Sequence, residues 1–305
     1  MSLVTNSTLA FHARSRLQMG GLRERAEALQ GQLSSGKRLA RSSDDPVAAS
    51  RLRTLQRAER LGGIDSANAA RASQDLTATG DALESIAGDL IRARELAVFA
   101  ASDTLSDNQR EAIATEIDSL RLRIFDTANA TGSSGNALFG GEGSGAAYEI
   151  TAGGAIAYIG TASAGSLDLG QGQSVERGFT GPEVFTYPSA GGPGDIFNEL
   201  ATLAAAIRGG AADPAAAARD AMGGLDDALD TVTRAQTITG SRVAWLDVVQ
   251  DREVDQSFTR TQQMADTGGV EFASTIAELQ QLLTVLEASQ AGFARLSNLS
   301  LFDKI

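Results

Sequence analysis

Apolar residues recur at three- and four-residue steps along most of this chain, and that rhythm predicts long helices separated by short breaks. Leu22, Ala26, Leu29 and Leu33 form one stripe on a helix within residues 3–33. A second helix is expected after Pro46, through Leu52, Leu55 and Leu61. It then tightens into heptads: Leu76, Leu83, Leu90 and Ala97 fall seven apart, as do Thr79, Ile86, Ala93 and Ala100. That spacing is a coiled-coil seam. Ile113, Ile117, Leu120 and Ile124 mark a third helix after a turn at 102–106, so these two should form a helical hairpin. Phe197, Leu200, Leu203 and Ile207 share a face on the next. From Met222 the steps continue through Leu225, Leu229, Val232, Gln236, Thr239, Val243, Leu246 and Gln250, with Trp245 one position off the seam. A final helix, from about Val270, carries Phe272, Ile276, Leu279, Leu283, Leu286, Phe293, Leu296 and Leu299.

The breaks have their own chemistry. Residues 33–52, LSSGKRLARSSDDPVAASRL, read as a helix end, a linker and a new helix. Gly36 suits a left-handed C-terminal cap, and Lys37 and Arg38 follow where carbonyl ends attract positive charge. Asp45 before Pro46 pairs a capping carboxylate with a residue whose missing N–H costs nothing in a first turn. Asp213-Pro214 repeats that signal, and Ser106-x-x-Gln109 is a capping box. Gly20-Gly21 costs a lone helix roughly 1 kcal/mol per glycine, so the N-terminal segment is expected to order only with a partner. Gly62-Gly63 is a second weak point, and Gly268-Gly269 a break.

Composition changes between 132 and 194, which hold three of the five prolines and about half of the 33 glycines. Segments 148–151, 155–159, 166–169 and 184–187 mix β-branched or aromatic residues with alternation, as short strands do. Phe139, Tyr148, Tyr158, Phe179, Phe185 and Tyr187 supply a core for them. The expected fold is mainly α with a small all-β insert, its N- and C-terminal segments forming a long antiparallel helical bundle or coiled coil. Three parts are expected: a discontinuous terminal coiled-coil domain (1–44 with 266–305), a discontinuous helical trunk (45–131 with 195–265) and a glycine-rich β domain (132–194).

A net charge of −12 argues against nucleic acid or anionic membrane as the main partner. The chain has no cysteine, hence no disulfide framework or thiolate chemistry. No stretch approaches eighteen uninterrupted apolar residues, and no basic leader precedes an apolar run, so neither a membrane span nor a cleaved signal peptide is expected. His12 is the single histidine, which leaves metal sites and histidine-based triads without partners. Gly31-x4-Gly36-Lys37 resembles a phosphate-binding loop, but Arg38 stands where a hydroxyl would hold magnesium and no strand precedes it. Ser34-x-x-Lys37 lacks the accompanying motifs of an acylating serine. The acid pairs Asp44/Asp45 and Asp226/Asp227 read as a cap and a solvated face, since neighbours on a helix point about 100° apart. No catalysis, cofactor or metal is expected.

Residues 33–52, the pair IRARELAVFAAS and LSDNQREAIATEI around the turn, and the ending LEASQAGFARLSNLSLFDKI resemble the hook-associated protein 3 family of flagellar hook-filament junction proteins, within the flagellin superfamily. NALFGG at 136–141, DIFNEL at 195–200 and RAQTITGSRVAWL at 234–246 extend the match. The alternatives are flagellin itself, whose usual DDAAG is here Asp44-Asp45-Pro46-Val47, and a flagellin-like surface protein that binds glycans. The resemblance implies a structural protein, exported by the flagellar type III apparatus and located extracellularly between hook and filament. It implies partners: further copies of the chain, another hook-associated protein, flagellin and an export chaperone. On this view Leu22, Leu29, Leu33, Ile276, Leu279, Leu283, Leu286, Phe293 and Leu296 belong to an assembly interface, and Gly36, Asp45 and Pro46 to a joint.

Overall fold

The structure, a computed structural model, describes residues 2–189 and 192–302, with the backbone alone for 2–9, 11, 12 and 296–302. Among the described residues there are seven α-helices: α1 Ser2–Ser35, α2 Pro46–Ala100, α3 Asp107–Ala128, α4 Gly181–Phe185, α5 Ile196–Ala205, α6 Pro214–Gly268 and α7 Phe272–Phe302. Six short strands pair as three antiparallel hairpins. These are β1 (Tyr148–Ile150) with β2 (Ile156–Tyr158), β3 (Ser166–Asp168) with β4 (Ser174–Glu176), and β5 (Thr186–Ser189) with β6 (Gly192–Asp195). The chain divides into two compact units, Met1–Arg60 with Gln256–Ile305 and Leu61–Asp255.

The second unit holds most of the buried apolar surface. Both α2 heptad rows are buried from Leu76 to Ala100, each member at most 1% exposed. Leu225, Val232, Thr239 and Leu246 face inward from α6, and Ile113, Ile117, Leu120 and Ile124 from α3. The hairpins share this core. Tyr148 meets Phe185, Phe197 and Tyr158 edge-on at 5.0 to 5.3 Å, and Phe139 meets Phe185 in the same way at 5.4 Å. Aromatic contacts of this kind add to the burial itself, about 1 kcal/mol each. Trp245 packs with Val243 and Val249 against a smaller cluster of Ala72, Leu76, Leu169 and Leu246.

The helix ends use the signals present in the sequence. The Ser106 N–H donates to Gln109 Oε1 at 3.0 Å, Asp213 accepts the Ala216 N–H at 2.9 Å, and Asp195 accepts the Asn198 N–H at 2.9 Å. Burial raises the Asp195 carboxyl above its ordinary value in spite of that bond. After α5 a π-helical turn, Ala206–Gly210, contains Gly209 at φ +100°.

The structure corrects two expectations and shows both glycine pairs within helices. The α1 helix runs unbroken through Gly20-Gly21, and α2 through Gly62-Gly63. A glycine weakens a helix without forbidding it, and α7 lies alongside α1 to support it. Residues 181–185 are helical, because Thr180 and Glu183 form a capping box in which Glu183 Oε2 accepts the Thr180 N–H at 2.7 Å. The last helix begins at Phe272, two residues later than expected.

Candidate assembly surface

The surface in question belongs to the first unit, where α1 and α7 run side by side in opposite directions. Arg25 pairs with Glu278 at 2.8 Å, and Lys37 bridges Gly269 in antiparallel fashion. On α1 the covered apolar residues are Met19, Leu22, Ala26, Leu29 and Leu33, a three-four progression in which Ala26 and Leu29 are the most buried. On α7 they are Thr275, Leu279, Leu282, Leu286, Ser289 and Phe293. Of the expected interface residues, Leu22, Leu29, Leu33, Leu279, Leu286 and Phe293 therefore line the intramolecular seam. Ile276 and Leu283 point outward, 43% and 38% exposed, in company with Phe272. The side chains of His12 and Leu296 lie outside the described residues.

The seam is thin. Among the described residues, Ala26 and Leu29 are the only apolar side chains of α1 buried below a tenth, and α7 has none. A fully buried leucine contributes about 2 kcal/mol, against roughly 1 kcal/mol or more of backbone entropy for each ordered residue. Two helices of 34 and 31 residues need more apolar cover than this seam supplies. Toward their far end they enclose a groove of about 660 Å³ lined by Met19, Leu22, Val285, Ser289 and Phe293.

The stretch 33–52 closes this unit. Gly36 takes φ +67°, a region that L side chains rarely enter, and nothing lies within 4 Å of where its Cβ would be. The turn this makes delivers a two-bond clasp: the Arg38 N–H donates to the Gly268 carbonyl at 2.8 Å, and the Val270 N–H to the Gly36 carbonyl at 3.1 Å. The Arg38 guanidinium donates to the Thr267 carbonyl at 2.9 Å, placing positive charge on the C-terminal end of α6. Asp44 Oδ2 accepts the Ala40 and Arg41 N–H groups at 3.1 and 2.7 Å. Asp45 accepts the Ala48 N–H at 3.0 Å and starts α2 with Pro46 as its first residue. That amide, with Arg38 beside it, holds the Asp45 carboxyl below its ordinary value. Further along, Glu59 accepts from Ser257 Oγ at 2.6 Å and Arg260 Nε at 2.7 Å, which lowers its own pKa.

These uses absorb the candidate chemistry. Residues 31–35 are helical, so their amides are bonded within α1 and cannot cradle a phosphate. Asp44 and Asp45 are spent on a turn and a cap, and Asp226 pairs with Arg94. Sequence reasoning missed Thr275, Leu282 and Ser289 as seam members, and Arg38 and Val270 as the clasp. The heptad 275, 282, 289 was visible, but two of its three members are polar and the competing row of Ile276 and Leu283 is wholly apolar.

Comparison with known proteins places this geometry. The model of the bacterial flagellin N-terminal helical region matches residues 7–144. Flagellar hook-associated protein 3 of Escherichia coli (strain K12) is 29% identical over 288 residues, 89% of this chain and 90% of that protein. The protein of the same name from Salmonella typhimurium (strain LT2) is 26% identical over 289 residues, again 89% and 90%. The crystal structure of Xanthomonas campestris FlgL superposes with a TM-score of 0.62 at 16% identity, covering 69% of this chain and 99% of that one, a likeness of fold. Along nine-tenths of its length the chain is similar to flagellar hook-associated protein 3, and over residues 7–144 it matches the flagellin N-terminal helical region.

Proposed function

We propose that this chain is a structural subunit of the bacterial flagellum that joins hook to filament by self-assembly through its terminal helices. The observation that carries the reading is the α1–α7 pair: its own seam is too thin to hold two long helices, and α7 still presents the row Phe272, Ile276 and Leu283 to solvent. Neighbouring copies that cover this row complete the burial that one chain lacks. In that assembly the seam residues from Leu22 to Leu33 and Leu279 to Phe293 fix each helix pair, and the outward row joins pairs. Gly36, Asp45 and Pro46 act as the joint between terminal pair and trunk. The partners are further copies, another hook-associated protein on the hook side and flagellin on the filament side. An export chaperone and the type III apparatus bring the chain to an extracellular site. Neither nucleic acid nor membrane takes part, and no described helix is long and apolar enough to cross a membrane.

The test is position. Antibody against an epitope tag on this chain should mark isolated flagella as a single focus at the hook tip. Label running along the filament would make it a filament subunit, and flagella without label would refute the reading.

A further inference from the structure

The formal charge of the chain is not spread evenly. Residues 1–60 and 256–305 carry 14 Lys and Arg against 10 Asp and Glu, a net of +4, whereas 61–255 carry 12 against 28, a net of −16. In the second unit Arg92, Arg94, Arg123, Arg208 and Arg242 are engaged in ion pairs, so its excess is carboxylate. In the first unit the excess gathers on one helix. Arg53, Arg57 and Arg60 are exposed on α2 at steps of four and three, which is a single face. Among the described residues none of the three has a hydrogen bond or ion pair. Like charges at these steps repel, so the row has a cost in the lone chain and no internal return.

A row of matching step and opposite sign occurs on the second unit. Asp247, Asp251 and Val254 are exposed on α6, again four and three apart, with Val254 66% exposed. Among the described residues neither aspartate has a partner. A guanidinium row and a carboxylate row on straight helices can meet as bidentate pairs, with the arginine stems covering the valine.

We infer that the Arg53–Arg57–Arg60 row of one copy docks on the Asp247–Asp251–Val254 row of a second copy of this chain. The occupant is set by charge: a surface short of anions meets, in every other copy, a unit with a large surplus of them. A contact between two different patches is head-to-tail and propagates from copy to copy instead of ending at a dimer. This surface is separate from α1 and α7, and the inference rests on the flagellar reading only in supposing that copies assemble.

The chain has no cysteine, which makes the test direct. R57C and D251C are introduced together into the full-length tagged protein, and isolated flagella are oxidised. At least tenfold more covalent dimer and higher species is expected from the double variant than from either single one. A second arm uses charge: R53E/R57E/R60E should at least halve swarming while leaving circular dichroism of the purified chain unchanged, and adding D247K/D251K should restore it. Three results would each overturn the contact: labelled flagella without covalent dimer, full swarming by the triple variant, or no rescue by the added lysines. Flagella lacking the tagged chain altogether would instead remove the shared assembly and both conclusions with it.

Discussion

Replacing Gly36 by valine tests the clasp with a magnitude that the structure supplies. The φ of +67° places the cost in backbone conformation, and the open space around the missing Cβ excludes a steric clash with neighbours. Forcing an L residue into the left-handed region costs roughly 1–2 kcal/mol, and β-branching pushes valine to the upper end. A loss of about 2 kcal/mol in local stability corresponds to an opening equilibrium constant about thirtyfold larger. The reporter is the Val270 amide, whose bond to the Gly36 carbonyl depends on that turn. Native-state hydrogen exchange should show Val270 and Arg38 losing about thirtyfold protection, while amides near Leu83 and Leu225 keep theirs. Gly36→Asn should lose several-fold less, since asparagine tolerates positive φ. If valine and asparagine cost the same, or if Val270 protection is unchanged in both, the clasp does not hang on this conformation.

Further outcomes follow from the same geometry. Leu283→Asp should leave the purified chain as stable as the parent yet abolish motility. Leu286→Asp should also lower the stability of the first unit by roughly 2 kcal/mol in urea melts, because it places a charge in the covered seam. Equal stability of the two variants would erase the distinction between seam and outward row. Ile86→Ala, at a fully buried position, should cost about 3 kcal/mol and lower Tm by roughly 10 °C by calorimetry. Asp195 has a raised carboxyl pKa, so its charged form weakens the fold as pH rises through and above the ordinary carboxylate range. Asp195→Asn keeps a capping oxygen and should match or exceed the parent at pH 7, falling behind only in acid; a deficit independent of pH would refute this.

How far the sequence could be read depends on how many solutions each pattern admits. The α2 heptads admitted one: from Leu76 to Ala100 each member is apolar or threonine, and every one is buried. Caps were equally legible, because Asp45, Ser106 and Asp213 act on amides two or three residues away. On α7 the pattern admitted two. The positions 279, 286 and 293 belong both to a row with Ile276 and Leu283 and to a row with Thr275, Leu282 and Ser289. Hydrophobicity favoured the first, and packing against α1 uses the second. The helix at 181–185 was signalled by Thr180-x-x-Glu183, a box that lay unread amid glycine and aromatic residues suggesting strand. The clasp between Gly36 and Val270 joins residues more than two hundred apart, and no local rule reports such a pair.

The first unit is assembled from the two ends of the chain, and this sets an order of events. A chain still lacking residues beyond 255 can build the whole second unit, in which Leu76 already meets Leu246, but has nothing for α1 to lie against. Closing a loop of more than two hundred residues directly costs on the order of 5 kcal/mol in chain entropy. Once the second unit has folded, most of that loop is already drawn in, and the ends have only short segments left to bring together. The clasp is therefore the last part to form and the first to open, so a chain caught early exposes its terminal stripes while its middle is complete.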